Sequence, residues 1–264
     1  MILPESTISR LTAWWNHDDL DRPCVLATLN TPPLPDLKGE ALDHWWMDIP
    51  ARLERLKRTI RVQRYLGEAV PYQYVDYGAS AMAAALGCPM EFVDTETIWA
   101  HPKLGDIDEA LEADLSLEGV FWDKLMALTR GSLAFSRDHH FVSYFALGGV
   151  TDTAASLVGT ENLLMDMVSE PDLVKKLMER MAGLWLKARK LVDRWFAESG
   201  QSCHIGWCGL WAPGTTFPLQ EDFSYMISNE MYRRYCLPSL ERFIADLDYP
   251  MYHLDGVNAL KHLD

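Results

Sequence analysis

Two pairs of polar side chains near the end of the 264-residue chain could carry chemistry. His253 and Asp255 are two residues apart, so in an extended strand their side chains project to the same face. An imidazole beside a carboxylate suits either a metal site or an acid–base pair. A histidine near a strand end is also commonly a hydrogen-bonded structural residue. The glycine that follows, Gly256, would let a ligand approach the backbone closely.

The second pair, Glu221 and Asp222, is predicted to lie in a loop between a strand and a helix that begins near Asn229. Adjacent carboxylates ahead of a helix are often solvated or capping groups. At the mouth of a barrel, either one could orient a cationic or pyrrolic N–H group, ligate a metal or hold a proton. The spacing alone leaves these alternatives open.

A third group of metal-binding atoms comes from Cys203, His204 and Cys208. Adjacent residues of a strand project to opposite faces, so we predict that Cys203 belongs to the core, with zinc ligation as the alternative. The chain has five cysteines, widely spaced and without a CxxC pair, which favours a reducing compartment over a disulfide framework.

The elements that must position these residues alternate between strands and helices. Strands separated by helices of a dozen or more residues indicate parallel βαβ units, and hence the α/β class. Apolar periodicity, Pro and Gly place these elements along the chain. We expect strands near residues 25, 72, 142, 204 and 252, and helices at 51–65, 107–115, 120–137, 171–198 and 229–247, the last kinked at Pro238.

Composition limits the classes of partner. Apolar residues make up 48% of the chain, which is enough for a sizeable core. A net charge of -14 disfavours nucleic acid or an anionic membrane surface as the partner, because both require a basic face. No apolar run approaches the roughly 20 residues that span a bilayer, and the first residues lack a secretory pattern. We therefore expect a cytoplasmic protein that acts on a small molecule.

Several segments, taken in order, resemble the uroporphyrinogen decarboxylase-like superfamily, which is similar in fold to cobalamin-dependent methyltransferases and cobalamin-independent methionine synthase. Together they extend over nearly the whole chain. The segments are DRP at 21–23, FALGGVTD at 145–152, LVGTENLLMDM at 157–167, EP at 170–171, EDF at 221–223, ISNEMY at 227–232, LP at 237–238 and YHLDG at 252–256.

The resemblance implies a single domain over residues 1–264 with a TIM-barrel-like (β/α)8 architecture. We expect an irregular N-terminal segment to about residue 50 and the barrel from about residue 70. The five expected strands are fewer than the eight of a closed barrel, so we expect the chain to stop at residue 264 before the last βα units. Strand edges left open in this way would favour a homo-oligomer.

For function, the resemblance implies an enzyme with its site at the barrel mouth. We expect a methyltransferase that acts on a small methylated substrate, with a corrinoid carried by a partner protein and zinc as a further cofactor. The catalytic candidates are Asp222, Glu221 and His253; the substrate-binding candidates are Trp207, Tyr225 and Asp255; the metal-ligand candidates are His253 and Asp255.

Two departures from the superfamily pattern bear on this expectation. The methyltransferase branch has a zinc-binding His-x-Cys pair, whereas this chain has His253 and Asp255. Decarboxylases grip substrate carboxylates with an N-terminal RxPxWxMRQAGR motif, of which this chain offers Arg10 and Arg22. One alternative is a decarboxylase of a porphyrinogen-like or other small carboxylate, in which Asp222 would stabilise a protonated pyrrole without a metal. The other is a non-catalytic binding protein.

Overall fold

The structure, a computed structural model, describes residues 3–30, 41–79, 81–136, 139–202 and 204–263. Helices and strands alternate along most of this length. The α-helices are α1 Glu5–Trp15, α2 Leu42–Met47, α3 Ile49–Val62, α4 Ala81–Ala85, α5 Ile107–Glu112, α6 Val120–Ser136, α7 Val150–Val158, α8 Thr160–Ser169, α9 Pro171–Glu198, α10 Asn229–Tyr235 and α11 Leu237–Ile244. The strands are β1 Leu26–Asn30, β2 Gln63–Gly67, β3 Tyr72–Gln73, β4 Met90–Phe92, β5 Ile98–Ala100, β6 Phe141–Val142, β7 Thr216–Gln220 and β8 Tyr249–His253.

The strands of the described residues pair two by two. Strands β3 and β6 are parallel, as are β7 and β8, and helices separate the members of each parallel pair. Strands β1 and β2 form an antiparallel pair, and so do β4 and β5. The predicted α/β class is therefore confirmed, whereas a closed eight-stranded barrel stays a prediction.

Helix α9 is the longest helix and forms one side of the core. Pro171 occupies its first turn, where a missing backbone N–H costs nothing, and Gly200 follows its end with a φ of +73°. Its buried apolar residues recur at helical spacing, so one face packs inward. Trp185 of that face stacks on Phe243 of α11, with ring centroids 4.0 Å apart. The helix spans the residues that the sequence predicted.

The strand expected near residue 204 is absent from the described residues. Ile205 forms an isolated bridge with Trp211, and Cys203 lies outside the described residues. The strand in this region is β7. It contains Pro218, and a proline in the sequence argues against predicting a central strand. A proline is tolerated here because β7 pairs only with β8 among the described strands. Gly206 packs against the proline ring, where a Cβ would come within 2.3 Å of the Pro218 Cδ.

The N-terminal region is more regular than expected. Residues 1–50 were predicted to be irregular, yet α1, β1 and α2 lie within them. The helix expected over 51–65 is α3, and it stops at Val62 because the following residues pair with β1 as strand β2. Long-range pairing therefore overrides a local helical pattern here. The helix expected over 229–247 is divided at Cys236 into α10 and α11, next to Pro238.

No helix of the described residues is both long and apolar enough to cross a bilayer.

Candidate active site

Strands β7 and β8 bring the two polar pairs of the sequence to one edge. The strands are parallel, and Gln220, the last residue of β7, pairs with His253, the last residue of β8. The chain therefore leaves both strands at the same end, with Glu221 and Asp222 following one strand and Asp255 following the other. The carboxyl ends of parallel strands are where α/β folds place their sites.

Glu221 is buried at the N-terminus of α7, with 1% of its surface exposed. Its carboxylate accepts hydrogen bonds from the backbone N–H groups of Val150 (3.0 Å) and Thr151 (3.1 Å), and from the Thr151 hydroxyl. These donors are otherwise unpaired in the first turn of a helix. Burial, followed by the charge of Asp152, raises the pKa of Glu221 to about 8. Glu221 is therefore tied to the fold rather than open to a substrate.

Asp152 makes the reverse connection, from α7 to the loop after β7. Its carboxylate accepts from the backbone N–H groups of Gly149 (2.9 Å), Asp222 (3.1 Å) and Phe223 (2.6 Å). Burial raises the pKa of Asp152 as well. We call Asp152 and Glu221 the carboxylate clasp, since each caps the helical turn that carries the other. The clasp holds Asp222 in position.

The clasp depends on close approach at Gly149. A Cβ on this residue would lie 2.5 Å from the Gln220 carbonyl oxygen, 2.5 Å from Glu221 Oε2 and 2.6 Å from Asp152 Oδ2. A side chain is therefore excluded. No role was predicted from the sequence for Gly149, Thr151 or Asp152. Their position in the GGVTD segment, with an acid three residues after a glycine at a helix start, is the signal that could have found them.

Asp222 is the carboxyl group of the site that can exchange a proton near neutral pH. Burial, with smaller contributions from the charges of Asp152 and Asp255, raises its pKa to about 7. The side chain of Gln220 donates to its Oδ2 at 2.8 Å. The other oxygen, Oδ1, is buried and has no hydrogen-bond partner among the described residues. The position of Asp222 suits a proton donor or acceptor.

Aromatic side chains stand beside the strand ends. Trp207 packs edge-on against the His253 ring, with centroids 4.9 Å apart, and its indole N–H donates to the Pro218 carbonyl at 3.0 Å. The exposed Tyr225 lies over Gly256, which has a φ of +77° and whose added Cβ would meet the Tyr225 ring at 2.7 Å. Trp207 and His253 therefore form one wall of the site, and Tyr225 covers the turn after β8.

His253 and Asp255 do not form the pair that their spacing suggested. The hydrogen bonds of the described residues include none between them; Asp255 instead lies close enough to Asp152 and Asp222 to raise their pKa. Both His253 and Asp255 lie at the strand end, but His253 contacts Trp207. Their roles stay predictions.

The predicted zinc site needs more ligands than the described residues supply. No group of three or more His, Cys, Asp and Glu side chains in that part of the chain is arranged to hold a metal. Catalytic zinc sites take three protein ligands, and His253 with Asp255 offers two. In the second predicted cluster, His204 contacts the Ala212 carbonyl at 3.1 Å. The zinc cofactor therefore stays a prediction.

The two arginines considered for substrate carboxylates are engaged within the protein. Arg22 binds Glu68 through two hydrogen bonds of 2.6 and 3.0 Å, and Arg10 donates to the same carboxylate at 3.0 Å. Glu68 is 2% exposed, and the Arg22 hydrogen bond lowers its pKa to about 2. Arg10 and Arg22 therefore attach the N-terminal segment to the fold.

Comparison with solved structures supports the fold. The chain is similar to a methyltransferase from Methanosarcina mazei, with a TM-score of 0.58 and 12% sequence identity, over 96% of this chain and 71% of that one. No protein-family model matches the sequence, and a comparison with curated proteins finds no match. At this identity the similarity establishes a methyltransferase-like fold.

Proposed function

We propose that this chain is an enzyme of the uroporphyrinogen decarboxylase-like type that transfers a methyl group from a small methylated substrate to a corrinoid carried by a partner protein. The observation that carries the proposal is the position of Asp222. It is held by the carboxylate clasp at the ends of β7 and β8, with a pKa near 7 and a free carboxyl oxygen. The similar solved protein is also a methyltransferase.

In this proposal the residues act on a substrate at the end of a TIM-type barrel formed by the single domain. Trp207 and His253 bind the apolar side of the substrate, and Tyr225 closes the turn beside it. Protonated Asp222 donates its proton to the oxygen or nitrogen atom that leaves the methyl group. The bonding electrons stay with that atom, and the proton from Asp222 neutralises the negative charge that would otherwise build up on it. The corrinoid supplies the nucleophile that accepts the methyl group.

The carboxylates restrict which substrates fit. Asp255 places negative charge beside Asp222, where it raises the pKa of that carboxyl, while Arg10 and Arg22 are bound to Glu68. A neutral or cationic methylated substrate is therefore favoured over a polycarboxylate, which would be repelled. This favours the methyltransferase over the porphyrinogen decarboxylase.

A methyl-transfer assay tests the proposal. Purified protein is mixed with a reduced corrinoid and a panel of methylated amines and ethers, and corrinoid methylation is followed by absorbance. We expect turnover that falls as pH rises through about 7, because Asp222 then loses its proton. Asp222→Asn should lower the rate by about 100-fold or more. Asp123→Asn, which changes an exposed carboxylate in the first turn of α6, is the matched control.

Three outcomes would count against methyl transfer. An Asp222→Asn rate equal to that of the wild type would remove Asp222 from the mechanism. Release of carbon dioxide from carboxylated substrates, without corrinoid methylation, would favour the decarboxylase. Tight binding of a substrate without turnover of either kind would favour the binding protein.

A further inference from the structure

A groove on the helical side of the molecule carries a charge opposite to that of the protein as a whole. It lies between α9 and the α10–α11 pair and shares no lining residue with the candidate active site. Four cationic side chains line it, together with the single carboxylate of Glu179. The cations are Lys175, Arg233, Arg234 and Arg242. In a chain with a net charge of -14, such a concentration of positive charge is a local feature.

The bottom of the groove is apolar and rigid. Met178, Ala182 and Tyr235 line it and are 4%, 3% and 1% exposed. The Tyr235 hydroxyl donates to the Met167 carbonyl at 2.9 Å, which fixes the ring. The volume of about 440 Å³ lies within the range of small-molecule sites. Because these three residues are nearly covered, the apolar surface that a ligand can contact beneath the charged rim comes from Pro238, which is exposed and also lines the groove.

The cations of the rim are poorly neutralised by the protein. Lys175, Arg233 and Arg242 have no ion pair or hydrogen bond with the described residues. Arg234 lies 3.8 Å from the exposed carboxylate of Asp172, and its Nε–H is buried without an acceptor in that part of the chain. Arginines that serve only as surface groups add little to the stability of the fold by lying together along one apolar groove. A ligand with several anionic oxygens would replace the water around the exposed Lys175, Arg233 and Arg242 with charge-assisted hydrogen bonds.

We propose that this groove binds a small organic phosphate, with the phosphate on Arg233, Arg234 and Arg242 and the organic part on Pro238, above Met178 and Tyr235. Phosphate offers three oxygens to the planar guanidinium groups, which bind it in a bidentate manner. The volume favours a small molecule over a segment of another protein. The inference does not depend on the proposed methyl transfer, because the two sites share no residues.

Calorimetric titration with phenyl phosphate tests the proposal on the intact chain. We expect one saturable site, with affinity about tenfold higher than that for inorganic phosphate, because the phenyl ring covers the apolar bottom. Arg242→Gln and Lys175→Gln should each weaken binding, by about tenfold for the arginine that loses a charge-assisted hydrogen bond. Lys176→Gln removes the same charge as Lys175→Gln from the neighbouring exposed residue, which does not line the groove.

Each other outcome would overturn the proposal. Absence of saturable binding to the wild-type chain would remove the site. Equal weakening by Lys175→Gln and Lys176→Gln would reduce it to general electrostatic attraction. Loss of binding in Asp222→Asn would move the ligand to the candidate active site. A dimer that dissociates in Arg242→Gln, detected by light scattering without phenyl phosphate binding, would show that the groove instead takes an acidic segment of a second copy.

Discussion

Three carboxyl groups meet at the end of β7: Glu221 and Asp222 follow the strand, and Asp152 reaches it from the first turn of α7. Each is desolvated, and the charge of Asp152 further raises the pKa of both Glu221 and Asp222. The backbone N–H groups that Asp152 and Glu221 accept compensate part of this cost. Asp222 has the least compensation, since one of its oxygens has no partner among the described residues. It is therefore the group best placed to exchange a proton.

The raised pKa values predict how stability depends on pH. In the folded protein the pKa of Glu221 is about 8 rather than 4.5, and that of Asp222 about 7 rather than 3.8. Folding therefore takes up protons. The contribution of these groups to the free energy of unfolding is fully present below about pH 4 and is lost as pH rises through 7 to 8. The free energy of unfolding, measured by urea titration, should therefore fall between about pH 4 and about pH 8. Asp222→Asn should reduce the slope, and Asp123→Asn should not. A slope unchanged by Asp222→Asn would contradict the raised pKa.

At the scale of elements, the site depends on how closely α7 approaches the end of β7. Helix α7 begins at Val150, and Glu221 and Asp152 link its first turn to the loop after β7. A helix N-terminus carries unpaired N–H groups and a partial positive charge, so it stabilises the carboxylates that cap it. The contact leaves no room for a side chain at Gly149.

A pair of glycine substitutions tests this packing. Gly149→Ala places a Cβ 2.5 Å from the backbone oxygen of Gln220, which cannot move without shifting β7, so we expect a loss of more than about 2 kcal/mol in unfolding free energy. Gly183→Ala, in the interior of α9 with open space at its Cβ, should instead gain about 0.5–1 kcal/mol. Urea unfolding measures both. A Gly149→Ala variant as stable as the wild type would show that α7 and β7 are not closely packed.

At the scale of the whole molecule, Glu68 joins the N-terminal region to the rest of the chain. It accepts hydrogen bonds from Arg10 of α1, from Arg22 and from the Val25 backbone N–H. The indole N–H of Trp15 adds a second attachment, to the Trp211 carbonyl at 2.9 Å. A buried carboxylate with two guanidinium partners is costly to disrupt, because removing it leaves charges without partners.

Glu68→Gln should loosen this attachment. We expect a loss of about 2 kcal/mol, less than for a fully buried pair because Arg22 is half exposed, and faster hydrogen exchange in α1. The pKa of Glu68 is lowered to about 2 from 4.5. Its contribution to the free energy of unfolding is therefore present above about pH 4.5 and is lost as pH falls through 2. Glu54→Gln, which removes an exposed partner of Lys57, should leave the free energy of unfolding nearly unchanged. Equal exchange in α1 of both variants would contradict this role.

The sequence by itself determined the features that depend on neighbouring residues. Apolar spacing with Pro171 and Gly200 predicted helix α9 because a helix face and its ends are local properties. The same applies to strand β8 and to the α/β class. Strand β7 was not predicted. It contains Pro218, and a proline fits a strand that pairs on one side, which only the tertiary structure shows.

Only the tertiary structure decided which groups meet. Asp152 and Glu221 are about 70 residues apart in the chain. No periodicity of the sequence indicates that each caps the turn carrying the other. Likewise, Glu68 engages the two arginines that the sequence offered to a substrate. Hydrogen bonds and burial between distant segments depend on the path of the whole backbone. These contacts occupy both carboxyl oxygens of Glu221 and leave one oxygen of Asp222 without a partner among the described residues, so the structure distinguishes the two neighbours, which the sequence could not.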